Sequence, residues 1–235
     1  MAEKARAVVL VSGGMDSAVC AAIAARDFEP AALHVSYGQR TEAREAQAFT
    51  AICERLRIAK RMMVRDELLA KIGGSALTDP SIAVPDAEDV VAEIGSKIPV
   101  TYVPFRNAHL LAAAVSWAEV LGAKKVLIGA VEQDSSGYPD CRPEFYRAYN
   151  EVVRWGTKDG TESGGILIET PLIALRKAEI VRLGVELGAP LDLTWSCYRR
   201  EDVGCGRCES CVLRRRAFAA AGVQDPIAYA QTVSQ

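Results

Sequence analysis

No stretch of this chain stays apolar for the ~20 residues that a helical membrane span needs, so no span is expected. Charge of one sign is also missing. The 28 Lys and Arg face 30 Asp and Glu, and a net charge of −2 provides no global field for nucleic acid or an anionic membrane. Met1-Ala2-Glu3-Lys4-Ala5-Arg6 carries no apolar core of a signal peptide and leads straight into a strand. Two familiar phosphate motifs are absent as well. There is no G-x-x-x-x-G-K-[ST], and the first glycine turn is too short for G-x-G-x-x-G. Residues 73–99 contain no aromatic side chain. A stretch so poor in bulky apolar groups is expected to pack loosely, as a passive surface loop or as a lid.

What is present begins with half of the residues being hydrophobic, enough for a sizeable core in a single domain. An apolar run over 7–11 reads as a buried strand, and an alanine-rich run over 18–25 reads as a helix. Between them stand Val11, Ser12, Gly13, Gly14, Met15, Asp16 and Ser17. Glycines in such a turn let the main chain approach an anion closely, and the free N–H groups at the helix start attract it. Ser12 and Ser17 add hydroxyl donors. An ordinary strand-to-helix turn, with glycines for packing, is the alternative.

The chain continues by alternation. Strands are expected over 31–37, 59–64, 125–130 and 164–170, and helices over 42–57, 106–121, 143–156 and part of 171–188. In the 42–57 helix, Ala46, Phe49, Cys53 and Leu56 share one face at helical spacing. This interval argues for βαβ units on a parallel sheet, whose ligands collect at the carboxyl ends of strands. The 12–17 turn and Tyr37-Gly38-Gln39 then lie on one rim. Arg106 and Asn107 open a helix that is apolar on most sides, with His109 buried in it. Asn107 reads either as a nucleotide contact or as an N-cap. The polar run Gln133-Asp134-Ser135-Ser136-Gly137-Tyr138-Pro139-Asp140-Cys141-Arg142 sits where a βα loop belongs, and its Asp134, Tyr138, Asp140 and Arg142 suit a planar heterocycle with donor and acceptor edges. A turn-rich surface loop is the plainer reading. Lys177 in the first turn of a helix opposes the helix dipole, which hints at an anionic ligand.

Seven cysteines include Cys197, Cys205, Cys208 and Cys211, a C-x7-C-x2-C-x2-C set that predicts a closed tetrahedral Zn²⁺ site of structural type. An iron–sulfur cluster or catalytic thiols are the alternatives. Arg199, Arg200, Arg207, Arg214, Arg215 and Arg216 lie nearby to offset the thiolate charge. Cys20 and Cys53 read as core residues, and Cys141 sits in the expected substrate loop.

Ser12-Gly13-Gly14-Met15-Asp16-Ser17 resembles the pyrophosphate loop of the ATP pyrophosphatases, a group that includes the GMP, NAD, asparagine and argininosuccinate synthetases. Further segments follow in order: Tyr37-Gly38-Gln39, Pro104-x-Arg106-Asn107, Gly137 to Arg142, Glu169-Thr170-Pro171-Leu172, Trp195-Ser196-Cys197-Tyr198 and Cys205-Gly206-x-Cys208-x-Ser210-Cys211. Together they resemble the 7-cyano-7-deazaguanine synthase family of the queuosine precursor pathway. Arg207 and Glu209 depart from the expected Lys and Asp. The resemblance implies an α/β, Rossmann-like (adenine nucleotide alpha hydrolase-like) parallel sheet over 1–190, with helices on both faces, and a small zinc-binding subdomain over 191–235. It implies a cytoplasmic, homodimeric ligase that takes ATP, Mg²⁺, ammonia and 7-carboxy-7-deazaguanine and forms the nitrile through adenylated carboxylate and amide. Residues 11–17 would hold pyrophosphate, Asp16 the Mg²⁺, and Arg106 and Lys177 further phosphate oxygens. Tyr37, Gln39, Asn107, Asp134, Tyr138, Asp140 and Arg142 would hold the deazaguanine. A tRNA sulfur transferase and a zinc-ribbon nucleic-acid module remain competing readings, and the mild acidity of the chain argues against both.

Overall fold

The computed structural model describes residues 4–90, 97–132 and 137–230. Strand and helix alternate as β1 (Arg6–Leu10), α1 (Met15–Asp27), β2 (Glu29–Ser36), α2 (Glu42–Arg55), β3 (Lys60–Arg65), α3 (Glu67–Ile72), α4 (Ala87–Val90), α5 (Arg106–Leu121), β4 (Lys125–Ile128), α6 (Pro143–Gly156), α7 (Lys158–Glu162), β5 (Leu167–Glu169), α8 (Lys177–Glu186) and α9 (Glu209–Ala221). All neighbouring strands pair in parallel, in the order β3-β2-β1-β4-β5. This is a doubly wound, Rossmann-like sheet, and the chain reverses direction across it between β1 and β4, where such sheets open a crevice. Among the described residues, no helix is long and apolar enough to cross a membrane.

Both faces of β1 are covered, which is why Ala7 to Val11 is apolar throughout rather than alternating. Ala7, Val9 and Val11 belong to the core formed with α1, α2, α8 and α9, while Val8 and Leu10 belong to the core formed with α5 and α6. In α2 the buried stripe is Ala48, Phe49, Ile52 and Cys53. Ala46, expected on that stripe, is only half buried, because the helix is turned toward Gly13. His109 is also half buried and faces Asp66 across 3.6 Å, instead of lying in the core.

The segment expected to pack loosely does not. Ser75, Ala76, Leu77, Val84 and Ala87 are buried. The Arg40 guanidinium donates to the carbonyls of Ala76 (2.6 Å) and Ile82 (2.7 Å). Asp86 pairs with Arg199 and Arg207, and the Ala87 N–H donates to the Arg207 carbonyl at 2.8 Å. Small residues held by backbone bonds do here what bulky apolar groups do elsewhere. Residues 91–96 of that stretch lie outside the described residues.

The C-terminal cysteines are not a detached appendage. Cys197, Cys208, Cys211, Ala217 and Phe218 are buried in the same core as α1 and α8.

Candidate active site

A cavity of about 290 Å³ opens at the carboxyl ends of β1, β2 and β4. Its floor is the turn after β1. The Ser12 N–H donates to Ser17 Oγ at 3.2 Å, and the Ser17 hydroxyl donates to the Gly14 carbonyl at 2.9 Å. These bonds close the turn on itself and seat Gly14 at the N-cap of α1 with no side-chain cap. The first-turn N–H groups of α1, which no intrahelical carbonyl can satisfy, therefore face the cavity side of the turn as an anion site. The helix starts at Met15, so Met15, Asp16 and Ser17 are its first turn and not loop.

Gly13 makes the turn fit its neighbours. Its φ of +94° is open to glycine, and a Cβ there would fall 2.7 Å from the Glu45 carbonyl. Its own carbonyl accepts the Trp195 N–H at 2.8 Å. Gly129, just past β4, is restricted by space: a Cβ would meet the Asp16 carbonyl at 2.8 Å. The loop is thus held between α2, β4 and the segment leading to the cysteines.

Asp16 and Lys177 meet across the cavity mouth, with Nζ 2.5 Å from Oδ2. The anion that Lys177 meets in the structure is this carboxylate. Asp16 Oδ1 is buried and has no hydrogen-bond partner, a donor set that fits a divalent cation.

The opposite wall is built around Arg106. It donates to the Tyr37 hydroxyl at 3.0 Å, and its guanidinium lies 5.5 Å and 5.8 Å from the ring centroids of Tyr37 and Tyr138. Phe105 immediately before it adopts a left-handed φ of +58° at the N-cap of α5. Asn107 is not the N-cap. Its backbone N–H donates to Asp140 Oδ2 and its amide to the Asp140 carbonyl, both at 2.9 Å. Asp140 therefore caps α5 from outside. Burial raises its pKa, and the Asn107 bond and Arg106 counter that in part.

Of the residues singled out in the sequence, Val11, Ser12, Gly14, Met15, Asp16, Ser17, Tyr37, Gln39, Arg106, Asn107, Tyr138 and Lys177 line the one cavity. Asp140 lies behind Asn107. Arg142 is exposed and is not part of the wall, because the chain turns from Asp140 into α6 and directs it outward. Asp134 lies outside the described residues. Cys141 lines the cavity beside the Asn107 amide, and burial pushes its thiol up to about 11.

Sequence reasoning missed Glu45. Both of its oxygens accept hydrogen bonds at 3.0 Å, one from the Gln39 amide and one from the Thr41 hydroxyl, and the residue lines the cavity. Burial raises this carboxyl to about 7, against the pull of those two donors and of Arg106. The available signal was Thr41 one helical turn before Glu45, a hydroxyl at a helix start that makes no cap bond and reaches the Glu45 carboxylate and the Cys197 carbonyl.

The four C-terminal cysteines form a second, separate cluster in which one sulfur from each lies within 4.8 Å of every other. Backbone N–H groups point at the sulfurs. Arg199 and Cys205 donate to Cys197 Sγ at 3.4 Å, and Cys208 donates to Cys205 Sγ at 3.3 Å. Four of the six arginines expected to offset the thiolate charge also have carboxylate partners, and the fields of the cysteines still reach Arg200 and Arg207. Arg199 and Arg207 pair with Asp86, Arg200 with Asp202, and the buried Arg214 with Asp225. Four sulfurs converging this closely, each able to bind as a thiolate, fit a tetrahedral Zn²⁺.

The family model described as Queuosine biosynthesis protein QueC matches residues 6–222. The chain is 64% identical over 228 residues to a 7-cyano-7-deazaguanine synthase of Acidobacterium capsulatum, covering 97% of this chain and 98% of that protein. It is 67% identical over 228 residues to the enzyme of the same name in Koribacter versatilis, covering 96% and 93%. Among solved structures, NMN synthetase from Francisella tularensis is similar with a TM-score of 0.46 and 17% identity, over 95% of this chain and 79% of that one.

Proposed function

The chain belongs to the QueC family of queuosine biosynthesis proteins, and from that premise we propose that it is an ATP-dependent 7-cyano-7-deazaguanine synthase. The substrates are 7-carboxy-7-deazaguanine, ammonia and ATP, and the carboxylate becomes a nitrile. A carboxylate oxygen is a poor leaving group. Transfer of AMP to it gives a mixed anhydride, which ammonia opens to an amide. A second transfer, to the amide oxygen, lets AMP depart as the nitrile forms.

The observation that carries this reading is convergence. The α1 N-terminus, the Asp16–Lys177 pair and the Arg106 wall all face one cavity. The first-turn N–H groups of α1 suit departing pyrophosphate, and Lys177 and Arg106 suit phosphate oxygens as charge moves onto them. Tyr37 and Tyr138, flanking Arg106, offer faces for a planar base. Catalysis in this scheme is mostly positioning and charge stabilisation. Asp16 would hold Mg²⁺ through Oδ1, and the ion would neutralise pyrophosphate charge. Cys197, Cys205, Cys208 and Cys211 would hold Zn²⁺, which supplies fold stability rather than chemistry.

Purified protein given ATP, ammonium and 7-carboxy-7-deazaguanine is expected to release AMP, pyrophosphate and the nitrile. Asp16→Ala is expected to abolish turnover while the protein stays folded and retains zinc. Direct release of ADP and orthophosphate would overturn the reading.

A further inference from the structure

The nitrogen of this reaction arrives as ammonium, with four hydrogens, and leaves in a nitrile with none. The site must therefore accept protons, and the described residues offer few acceptors. The chain has two histidines. His34 is buried beneath the loop with its ring nitrogens on the Val11 carbonyl and Ser36, and His109 lies against Asp66; neither lines the cavity. Two carboxylates among the described residues do line it, Asp16 and Glu45, and Asp16 is paired with Lys177. The Cys141 thiol and the Tyr37 and Tyr138 hydroxyls are shifted upward by burial.

Resting on the function proposed above, we infer that Glu45 is the proton acceptor that converts bound ammonium to ammonia. Gly13, lacking a side chain, admits the backbone of the first turn of α2 against the phosphate loop, and the Glu45 carboxylate lines the same cavity as that loop within reach of the Arg106 charge. Gln39 and Thr41 each take one lone pair of the carboxylate and fix its plane, which leaves the other lone pairs for ammonium. Arg106 from α5, Tyr37 after β2 and Glu42 on α2 are the charged or titratable groups whose fields reach it. The proton passes from ammonium to Glu45. Ammonia's lone pair then forms the C–N bond at the acyl carbon as the C–O bond to AMP breaks and AMP leaves with that electron pair. Glu45 passes its proton to water and takes a second from the new C–N nitrogen, giving the neutral amide. After the amide oxygen is adenylated in turn, the last two protons pass to water as AMP leaves with the C–O electron pair and the nitrile forms.

Glu45→Gln tests this with three readouts. Substrate-dependent exchange of labelled pyrophosphate into ATP, which needs no nitrogen, is expected to persist. The kcat/KM for ammonium is expected to fall by about 100-fold or more, the usual contribution of a general base. Hydroxylamine is largely uncharged at neutral pH, so hydroxamate formation from the adenylated carboxylate is expected to survive the substitution. The wild-type pH profile of ammonium kcat/KM should show an inflection near 7 that the variant lacks, the variant's rate following the fraction of free ammonia instead. Glu45→Asp, which restores a carboxylate, should recover part of the ammonium rate, and it serves as the test if Glu45→Gln melts early. Unchanged ammonium kinetics in Glu45→Gln, or a parallel loss of exchange and hydroxamate, would overturn the role. Absence of pyrophosphate exchange in the wild type would instead overturn the proposed function itself.

Discussion

At the scale of single residues, the site depends on what small side chains permit. Gly129→Ala places a methyl group 2.8 Å from the Asp16 carbonyl, against backbone that cannot swing aside. The expected cost is about 1–3 kcal/mol of stability, measured by urea unfolding, with a loss of ATP affinity larger than that of stability. Glu45 gives a pH prediction whose sign follows from its raised pKa. The folded protein holds this proton more tightly than the unfolded chain, so the contribution is complete below about 4.5 and is lost as pH rises through about 7. Thermal stability should therefore fall between about pH 4.5 and 7, by an amount on the order of 3 kcal/mol at most. Glu45→Gln should flatten that component in a melting series. The sequence announced Asp16 and Arg106 because their motifs are local. Glu45 stayed hidden because its meaning depends on Gly13, 32 positions earlier, being small enough for α2 to close in.

At the scale of elements, the parallel sheet was legible because its inner strands, β1 and β4 above all, are buried apolar runs and the helices follow at regular intervals. β1, α1 and β4 lie within a few residues of the expected positions. The 73–90 segment was not legible. Its order comes from Arg40 gripping three carbonyls and from Asp86 meeting two arginines, and none of those pairings is encoded nearby in the chain. The N-cap of α5 failed for a related reason, since its capping carboxylate, Asp140, comes from beyond β4. The cysteine knuckle is the clearest element. Cys208→Ala is expected to lower bound zinc, read by metal analysis, and to reduce the melting temperature, with activity lost as a consequence. Full zinc content in a stable variant would show that the ligand set is different.

At the scale of the whole molecule, the sheet, α8, α9 and three of the four clustered cysteines share one hydrophobic core. Calorimetry should accordingly show one cooperative transition, and a zinc chelator should move that transition as a unit instead of splitting off an early melt. The Trp195 N–H, two residues before Cys197, is bonded to the Gly13 carbonyl in the floor of the cavity. Metal starvation would therefore be felt at the nucleotide. On the function proposed above, a protein stripped of metal would lose its hold on triphosphate and its fold together, so that trace-metal supply would set how much working enzyme a cell contains.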